Sequence, residues 1–472
     1  MKIKNAFAFA SLMVLAACAV GPNHVAPPVP AASSGAFIGA GNAAYSSSEI
    51  QPDWWRLYED PVLDGLVDDA LTHNTDLRVA TANLQRVRAL LREAGGARLP
   101  QTGIGAGATY GRAGEGETPA GRDRTDTAFS VGLNVAYEVD LFGRVSRAIE
   151  AARGDAAAAE AERDAVRVMV AAETARAYAD ASAAAEQLSI AQESVALIDK
   201  TLSITNKRFD AGRGTRLDVA RVASLRARTA ATAPGLAAER KAALFRLAVL
   251  TGKPPAELSP LADDRKTILR LDKAIPVGDG QALLARRPDI RQAERQLAAE
   301  TARIGVATAD LYPRITFGGS IGSAAPSISD LFTGGPISWI LGPLLNWTFP
   351  NQRVPRARIE QAEASAAGAL ANFDGVVLRA LQETETALSA YARELDRRAA
   401  LVESRQQAEA AARVTRIQLR EGRADALAVL DAERTLADAD ADLARSTARV
   451  ATLQIDLFRA LGGGWQNDPI RS

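Results

Sequence analysis

Thiol, imidazole and clustered carboxylates are the groups that do most side-chain chemistry near neutral pH, and this sequence holds few of the first two. Cys18 is the one cysteine, and His24 and His73 are the two histidines. No nucleophile stands beside a base, and no His/Cys spacing would hold a metal. Gly103, Gly105 and Gly107 have the spacing of a phosphate loop, but no strand-to-helix context with a following acid accompanies them. They read as strand glycines. A lone cysteine forms no internal disulfide. The expectation is a protein that is not an enzyme and takes no cofactor beyond a covalent lipid on Cys18.

That lipid is suggested by what precedes the thiol. Lys2 and Lys4 form a positive n-region, and Ala6 to Ala17 is apolar but too short to span a bilayer. Leu15-Ala16-Ala17-Cys18 resembles the bacterial lipobox, in which small residues fit a signal peptidase and the thiol takes a diacylglycerol. Residues 1–17 then form a signal peptide and 18–50 a lipidated, Pro/Ala/Ser/Gly-rich linker. Several acyl chains, palmitate among them, anchor stably. Ala19, rather than Asp, follows the cysteine, which in Gram-negative lipoproteins implies the outer membrane. No other stretch reaches 18 uninterrupted apolar residues.

Lys+Arg and Asp+Glu both total 56, so no basic field invites nucleic acid. The chain repeats itself. Asp76, Arg78, Ala80, Leu84, Pro100 and Gly105 recur 213 positions on (289 − 76) as Asp289, Arg291, Ala293, Leu297, Pro313 and Gly318. Glu173-Thr174, Gly212-Arg213, Leu217, Val219, Leu247 and Gly252 recur 210 positions on (422 − 212) as Glu383-Thr384, Gly422-Arg423, Leu427, Val429, Leu457 and Gly462. A register held this long marks a tandem duplication. The first repeat covers 51–252, a connector 253–280 carries Pro254, Pro255, Pro260 and Pro276, and the second repeat covers 281–472.

Each repeat carries one hairpin, at about 101–139 and 314–349. Phe129, Val131, Leu133, Val135, Tyr137 and Val139 alternate with small or polar residues, and Ile337, Trp339, Leu341, Leu345, Trp347 and Phe349 alternate with Ser338, Gly342, Asn346 and Thr348. Strands of this length cross a bilayer at a tilt, with Tyr110, Tyr137, Trp339, Trp347 and Phe349 available for interfacial girdles. A soluble sheet with one wet face fits the alternation as well; the lipid anchor favours the membrane. Helical patterning covers about 61–99, 143–211 and 217–250 in the first repeat, and 283–311, 355–421 and 427–461 in the second. The two longest are free of internal proline over most of their length and would each reach about 100 Å. Gly212 and Gly422 read as C′ caps at which the chain reverses.

Four membrane strands cannot close, and an open edge in lipid strands its N–H and C=O groups. Oligomerisation is therefore required; two, three or four copies would give eight, twelve or sixteen strands. Ala-rich helices of such length need lateral partners. The fold class read from these features is mainly α with membrane β, in two tandem repeats, each a β-hairpin plus long coiled-coil helices.

Several runs resemble one family. They are Trp54-Trp55 with Tyr58 and Asp60-Pro61, Tyr137-Glu138-Val139-Asp140-Leu141-Phe142-Gly143-Arg144, Leu284-Ala285-Arg286-Arg287-Pro288-Asp289-Ile290-Arg291, Gly305-Val306-Ala307, Leu311-Tyr312-Pro313 and Ala460-Leu461-Gly462-Gly463-Gly464-Trp465. Together they are similar to the lipoprotein branch of the TolC/OprM outer membrane efflux family, with NodT-type relatives. The resemblance implies a homotrimer whose twelve-stranded barrel continues into a twelve-helix periplasmic tunnel. It also implies docking on a periplasmic adaptor and, through it, on an inner-membrane pump of the resistance-nodulation-division (RND) class. The function it implies is an outer-membrane exit duct for drugs or other small molecules. The alternative is an outer-membrane lipoprotein with a coiled-coil scaffold role, against which the alternating strands count.

In that family a Leu and an Asp line the periplasmic gate; the matching run here is Leu427-Ala428-Val429-Leu430-Asp431-Ala432. Leu427 and Asp431, four apart, share one helix face. Threefold symmetry would make a ring of carboxylates. The duplicate position of Asp431 is Arg221 (431 − 210), so Arg221, Arg420 or Arg216 are candidate gate-closing partners. The turns carrying Gly212, Arg213, Gly422 and Arg423 are candidate adaptor contacts. Leu419 stands where some relatives have Tyr, so a hydrogen bond from that hydroxyl has no counterpart here.

Overall fold

The computed structural model describes residues 19–28, 33–112, 114, 125–257, 265, 267–333, 337–424 and 426–464. The signal peptide, Cys18 and Trp465 lie outside the described residues. In chain order the main elements are β1 (Tyr45–Ser46), α1 (Pro61–His73), α2 (Thr75–Gly96), β2 (Gln101–Arg112), β3 (Thr125–Val139), α3 (Arg144–Asp210), α4 (Arg216–Ala230) and α5 (Ala233–Leu250). There follow β4 (Ile275–Pro276), α6 (Gly280–Arg286), α7 (Pro288–Ala309), β5 (Arg314–Ala325), β6 (Ile337–Asn346), α8 (Arg353–Arg420) and α9 (Ala426–Ala460).

Two compact units result, and neither is a repeat. One comprises Met1–Pro27, Asn83–Glu160 and Gln292–Asp374; the other Pro28–Ala82, Ala161–Arg291 and Gly375–Ser472. Each draws on both halves of the sequence, so the duplicated halves interleave instead of folding apart.

The first unit holds the sheet, ordered β2-β3-β5-β6. All three pairings are antiparallel, and β3 against β5 joins the two repeats, with Gly132 opposite Gly322. The sheet exposes large apolar side chains: Ile104 is 81 % exposed, Trp339 75 % and Leu341 72 %. Such a surface suits hydrocarbon rather than water. Within one chain β2 and β6 each keep an unpaired edge. β6 ends at Asn346, so Trp347 and Phe349, expected inside the strand, lie just beyond it, their rings stacked at 4.7 Å.

The residues after Cys18 are not the extended linker expected. Arg147 donates to the Val20 and Gly21 carbonyls (both 3.2 Å) and to Asn23 Oδ1 (2.7 Å), and His24 meets Glu294 at 2.7 Å. Further on, in the second unit, Phe37, Tyr45 and Ile50 are buried. Burial, chiefly, and the neighbouring Tyr391 push the Tyr45 hydroxyl up to about 12. It donates to the Leu388 carbonyl at 2.5 Å. The short strand β1 pairs in parallel with β4, which belongs to the connector.

The core of the second unit is aromatic at one point and alanine-rich elsewhere. Trp54 is fully buried and stacks on Phe458 at 4.7 Å. Ala171, Ala175 and Ala177 are fully buried along α3, where small side chains let helices approach closely.

Three continuous helices expected from the sequence are interrupted. The span 61–99 breaks at Asn74, whose buried Oδ1 accepts from the Asp76 and Leu77 amides. The span 217–250 breaks before α5, which begins with Pro234 in its first turn; proline lacks an amide and crowds the preceding turn. The duplicate position in α9 is Ala444 (234 + 210), and α9 runs unbroken. The span 283–311 breaks at Arg287, and α7 starts at Pro288.

The first and last of these breaks are duplicates. Asn74 Nδ2 donates to the Leu250 carbonyl at 3.0 Å. At the duplicate position (74 + 213) Arg287 Nη1 donates to the Ala460 carbonyl at 2.9 Å. Each repeat thus uses the residue at a helix break to satisfy the last carbonyl of its own final helix. Burial opposes the Arg287 charge, but hydrogen bonds to Asp289 and Glu383, with their charges, outweigh it and hold the pKa above the ordinary value.

Candidate functional site: the helix tips

The chain reverses twice at the far ends of α3 and α8, and the second unit contains both turns. Each ends in the same motif. The Gly212 amide donates to the Phe209 carbonyl (2.9 Å) and Arg213 to that of Arg208 (2.7 Å); Gly422 donates to Leu419 (3.1 Å) and Arg423 to Gln418 (2.8 Å). This double bond needs a left-handed residue after the helix. Gly212 and Gly422 supply it with φ of 69° and 76°.

From the first turn α4 starts with a capping box: Thr215 Oγ1 accepts from the Asp218 amide, and Asp218 accepts from the Thr215 amide at 3.0 Å. Hydrogen bonds from the Thr215 side chain and then its backbone hold the Asp218 carboxyl below the usual range. A depressed carboxyl stabilises the folded form above the unfolded pKa, near 4, and loses that contribution as pH falls through the folded value. Thr215→Ala should therefore weaken the first turn of α4 by about 1 kcal/mol. Hydrogen exchange over 216–220, corrected for intrinsic rate, should quicken in the variant at pH 7. It should also quicken in the wild type when Asp218 is protonated.

The structure places the expected gate residues as follows. Leu427 is 51 % exposed, and its duplicate Leu217 is 57 % exposed. Asp431 is exposed and pairs along its own helix with Arg434 at 2.9 Å. Arg221, Arg216 and Arg420 are exposed; among the described residues none of them reaches Asp431 within the same chain. Arg213 is exposed, and Arg423 pairs with Glu421 at 3.5 Å. Leu419 is buried, and its carbonyl accepts from Arg208 Nη1 at 3.1 Å, which ties the two turns together.

One ion pair near the tips was not foreseen. Glu433, buried at 4 %, accepts from Arg416 Nε at 2.5 Å and Nη2 at 2.9 Å, and from Thr201 Oγ1 at 3.4 Å. The hydrogen bond to Glu433 raises the Arg416 pKa against the cost of its burial. Three helices, α3, α8 and α9, meet on that one carboxylate. The first repeat lacks the pair: its duplicate positions are Asn206 and Ala223 (416 − 210, 433 − 210). It is stitched instead by Arg226 to Asp199 at 2.7 Å. The mismatch between repeats was the available signal, since a charged pair present in one half only must have its own local partner.

Among the described residues no helix is long and apolar enough to cross a membrane. Among the described residues no group of three potential metal ligands exists. What the tips offer is two capped reversals of the chain, joined through Arg208.

Comparison with known proteins agrees. The family model described as "Outer membrane efflux protein" matches residues 66–253 and 280–463, one stretch in each repeat. The outer membrane protein OprJ of Pseudomonas aeruginosa is 31 % identical over 98 % of this chain and 97 % of its own length. The solvent efflux pump outer membrane protein SrpC of Pseudomonas putida is 30 % identical over 98 % and 99 %. The solved outer-membrane channel OprN is 36 % identical with a TM-score of 0.89, covering 95 % of this chain and 100 % of that one. The chain belongs to the outer membrane efflux protein family, whose members are passive channels rather than enzymes, and it is an outer-membrane exit duct.

Proposed function

We propose that three copies of this chain close their sheets into one twelve-stranded barrel, continued by their helices into a periplasmic tunnel gated at the tips. The observation that carries this reading is the pair of unpaired edges, β2 and β6, on a sheet that exposes large apolar side chains. In lipid each unmet backbone group costs several kcal/mol, so the edges of successive copies must meet. At the tips Leu427 and Asp431 from three copies form the constriction. Arg221 and Arg420 of a neighbouring copy are the closing partners of Asp431, exchanging with its bond to Arg434. The turns at Gly212-Arg213 and Gly422-Arg423 dock on a periplasmic adaptor, which connects the duct to an inner-membrane RND pump. Cys18 carries the lipid anchor, and the docking of residues 19–24 on Arg147 and Glu294 sets where that anchor enters the membrane.

Relatives named for toluene and pyoverdine export indicate that ducts of this kind accept chemically unlike small molecules. A passive duct meets all of them alike, so the pump selects the cargo here. Deleting the chain from its host should raise the steady-state accumulation of apolar fluorescent dyes, and re-expression should reverse the rise. Accumulation that is the same with and without the chain, across apolar dyes, solvents and siderophores, would overturn the reading.

A further inference from the structure

The two repeats differ at the rim where strand passes into long helix. In the first repeat Glu138 and Asp140 precede Arg144 and Arg147; the positions 209 further on (353 − 144) are Trp347, Phe349, Arg353 and Arg356. Both arginines are retained, and both carboxylates have become aromatic rings.

In the first repeat every one of these charges is met within the chain. Glu138 takes Arg144 through two bonds of 2.7 and 2.5 Å. Asp140 caps α3 by accepting from the Val145 and Ser146 amides. Arg147 is held by Glu150, Asn23 and two carbonyls of the N-terminal segment. In the second repeat Arg353 and Arg356 are exposed and, among the described residues, form no ion pair. Two cations in the first turn of a helix also face the unfavourable end of its dipole. The neighbouring Arg358 is different, since it meets Asp310 at 3.3 Å.

The rings that precede these arginines are held in place and partly exposed. Trp347 Nε1 donates to the Leu311 carbonyl at 3.0 Å, which orients the indole. Trp347 is 45 % exposed, Phe349 67 % and Val354 57 %. The cavity of about 420 Å³ at this rim, which Trp347 and Val354 help to line, is neutralised by Arg314 and Arg358 against Glu138 and Asp310, and neither Arg353 nor Arg356 lines it. The strand that closure sets beside β6 supplies no carboxylate to meet them. Closure brings β2 of the next copy to β6, and residues 96–112 contain no Asp or Glu and add Arg98. Since the helices leaving this rim cannot cross a membrane, the rim faces the periplasmic leaflet.

We propose that Arg353 and Arg356, with the Trp347–Phe349 pair, bind the phosphate headgroup of an anionic phospholipid of the periplasmic leaflet at each of the duct's subunit boundaries. Aromatic rings belong at the headgroup level, and arginines near it attract anionic lipid. The first repeat, having carboxylates at the same height, has no such site.

The test uses the full-length trimer, delipidated in detergent and titrated with fluorescent phosphatidylglycerol or phosphatidylcholine. The wild type should retain phosphatidylglycerol preferentially, and added salt should weaken that retention. Arg353→Gln with Arg356→Gln should weaken it about tenfold, whereas Arg358→Gln should leave it unchanged. Equal retention of both lipids by the wild type, or undiminished phosphatidylglycerol binding by the double variant, would overturn the proposal. Trimers that dissociate in the double variant while the wild type shows no lipid preference would point to a protein partner instead, and would equally overturn it. Should the double variant not assemble, the wild-type preference and its salt dependence, with Arg356→Gln alone, still decide.

Discussion

Arg287→Ala is expected to destabilise the chain by about 3–5 kcal/mol, in the range for removing one partner of a buried charged network. Arg287 is buried and reaches Asp289 at 2.7 Å, Glu383 at 2.8 Å and the Ala460 carbonyl at 2.9 Å. It therefore fastens the start of α7, the middle of α8 and the end of α9 with one side chain. The guanidinium also lies at the C-terminal end of α9, where the helix dipole favours positive charge. Truncation leaves a helix-terminal carbonyl poorly met and opens a void beside Gly462. Arg287→Lys should recover little, since one ammonium cannot reproduce the planar fork. A thermal melt of the purified protein, with the yield of heat-resistant oligomer in outer-membrane fractions, checks this. A melting temperature within a degree or so of wild type would contradict it.

The second large effect is expected at Glu433. Glu433→Ala removes the carboxylate on which α3, α8 and α9 converge and leaves the Arg416 guanidinium with no partner for its short bonds. Arg416 retains some access to water, with 26 % of its side chain exposed, so the cost falls toward the lower end of the buried-pair range, about 3 kcal/mol. Because the pair sits within a few turns of the tip, the loss is local. Hydrogen exchange over 410–424 and 426–440 should quicken, and trypsin should cut more readily after Arg420 and Arg423. Exchange over 144–180 should be unchanged. If the tip peptides exchange as slowly as in the wild type, Glu433 is not the fastening described.

Much of this fold was legible because its signals are local. The hairpins announce themselves by a period of two, and Gly212 and Gly422 mark turns since only a residue free to adopt positive φ completes the cap. The duplication supplied the pairing of elements. The helix breaks were less legible. Asn74 ends one helix by capping the next and by donating to Leu250, 176 positions away, which no window on the sequence contains. Pro234 is a breaker by type, but it stands in an Ala-rich run and its duplicate in α9 is unbroken. The residues after Cys18 look like linker by composition, yet Phe37 and Tyr45 reach a core assembled from distant segments. At the tips Gly212 and Gly422 sit at the turns, but the charge partners around them are set by helix packing. Asp431 turns to Arg434 on its own helix, and the buried pair is Arg416 with Glu433, on different helices.

The direct test of a wet duct closed at its helix tips is single-channel current through the purified trimer in a planar bilayer. Recordings should compare wild type, Asp431→Ala and Arg221→Ala. Discrete ohmic steps are expected from the wild type, with larger or longer-lived openings in both variants as the ring of carboxylates and its partners is dismantled. No current from any of the three, despite insertion verified by surface labelling, would contradict the duct; equal conductance in all three would contradict the gate.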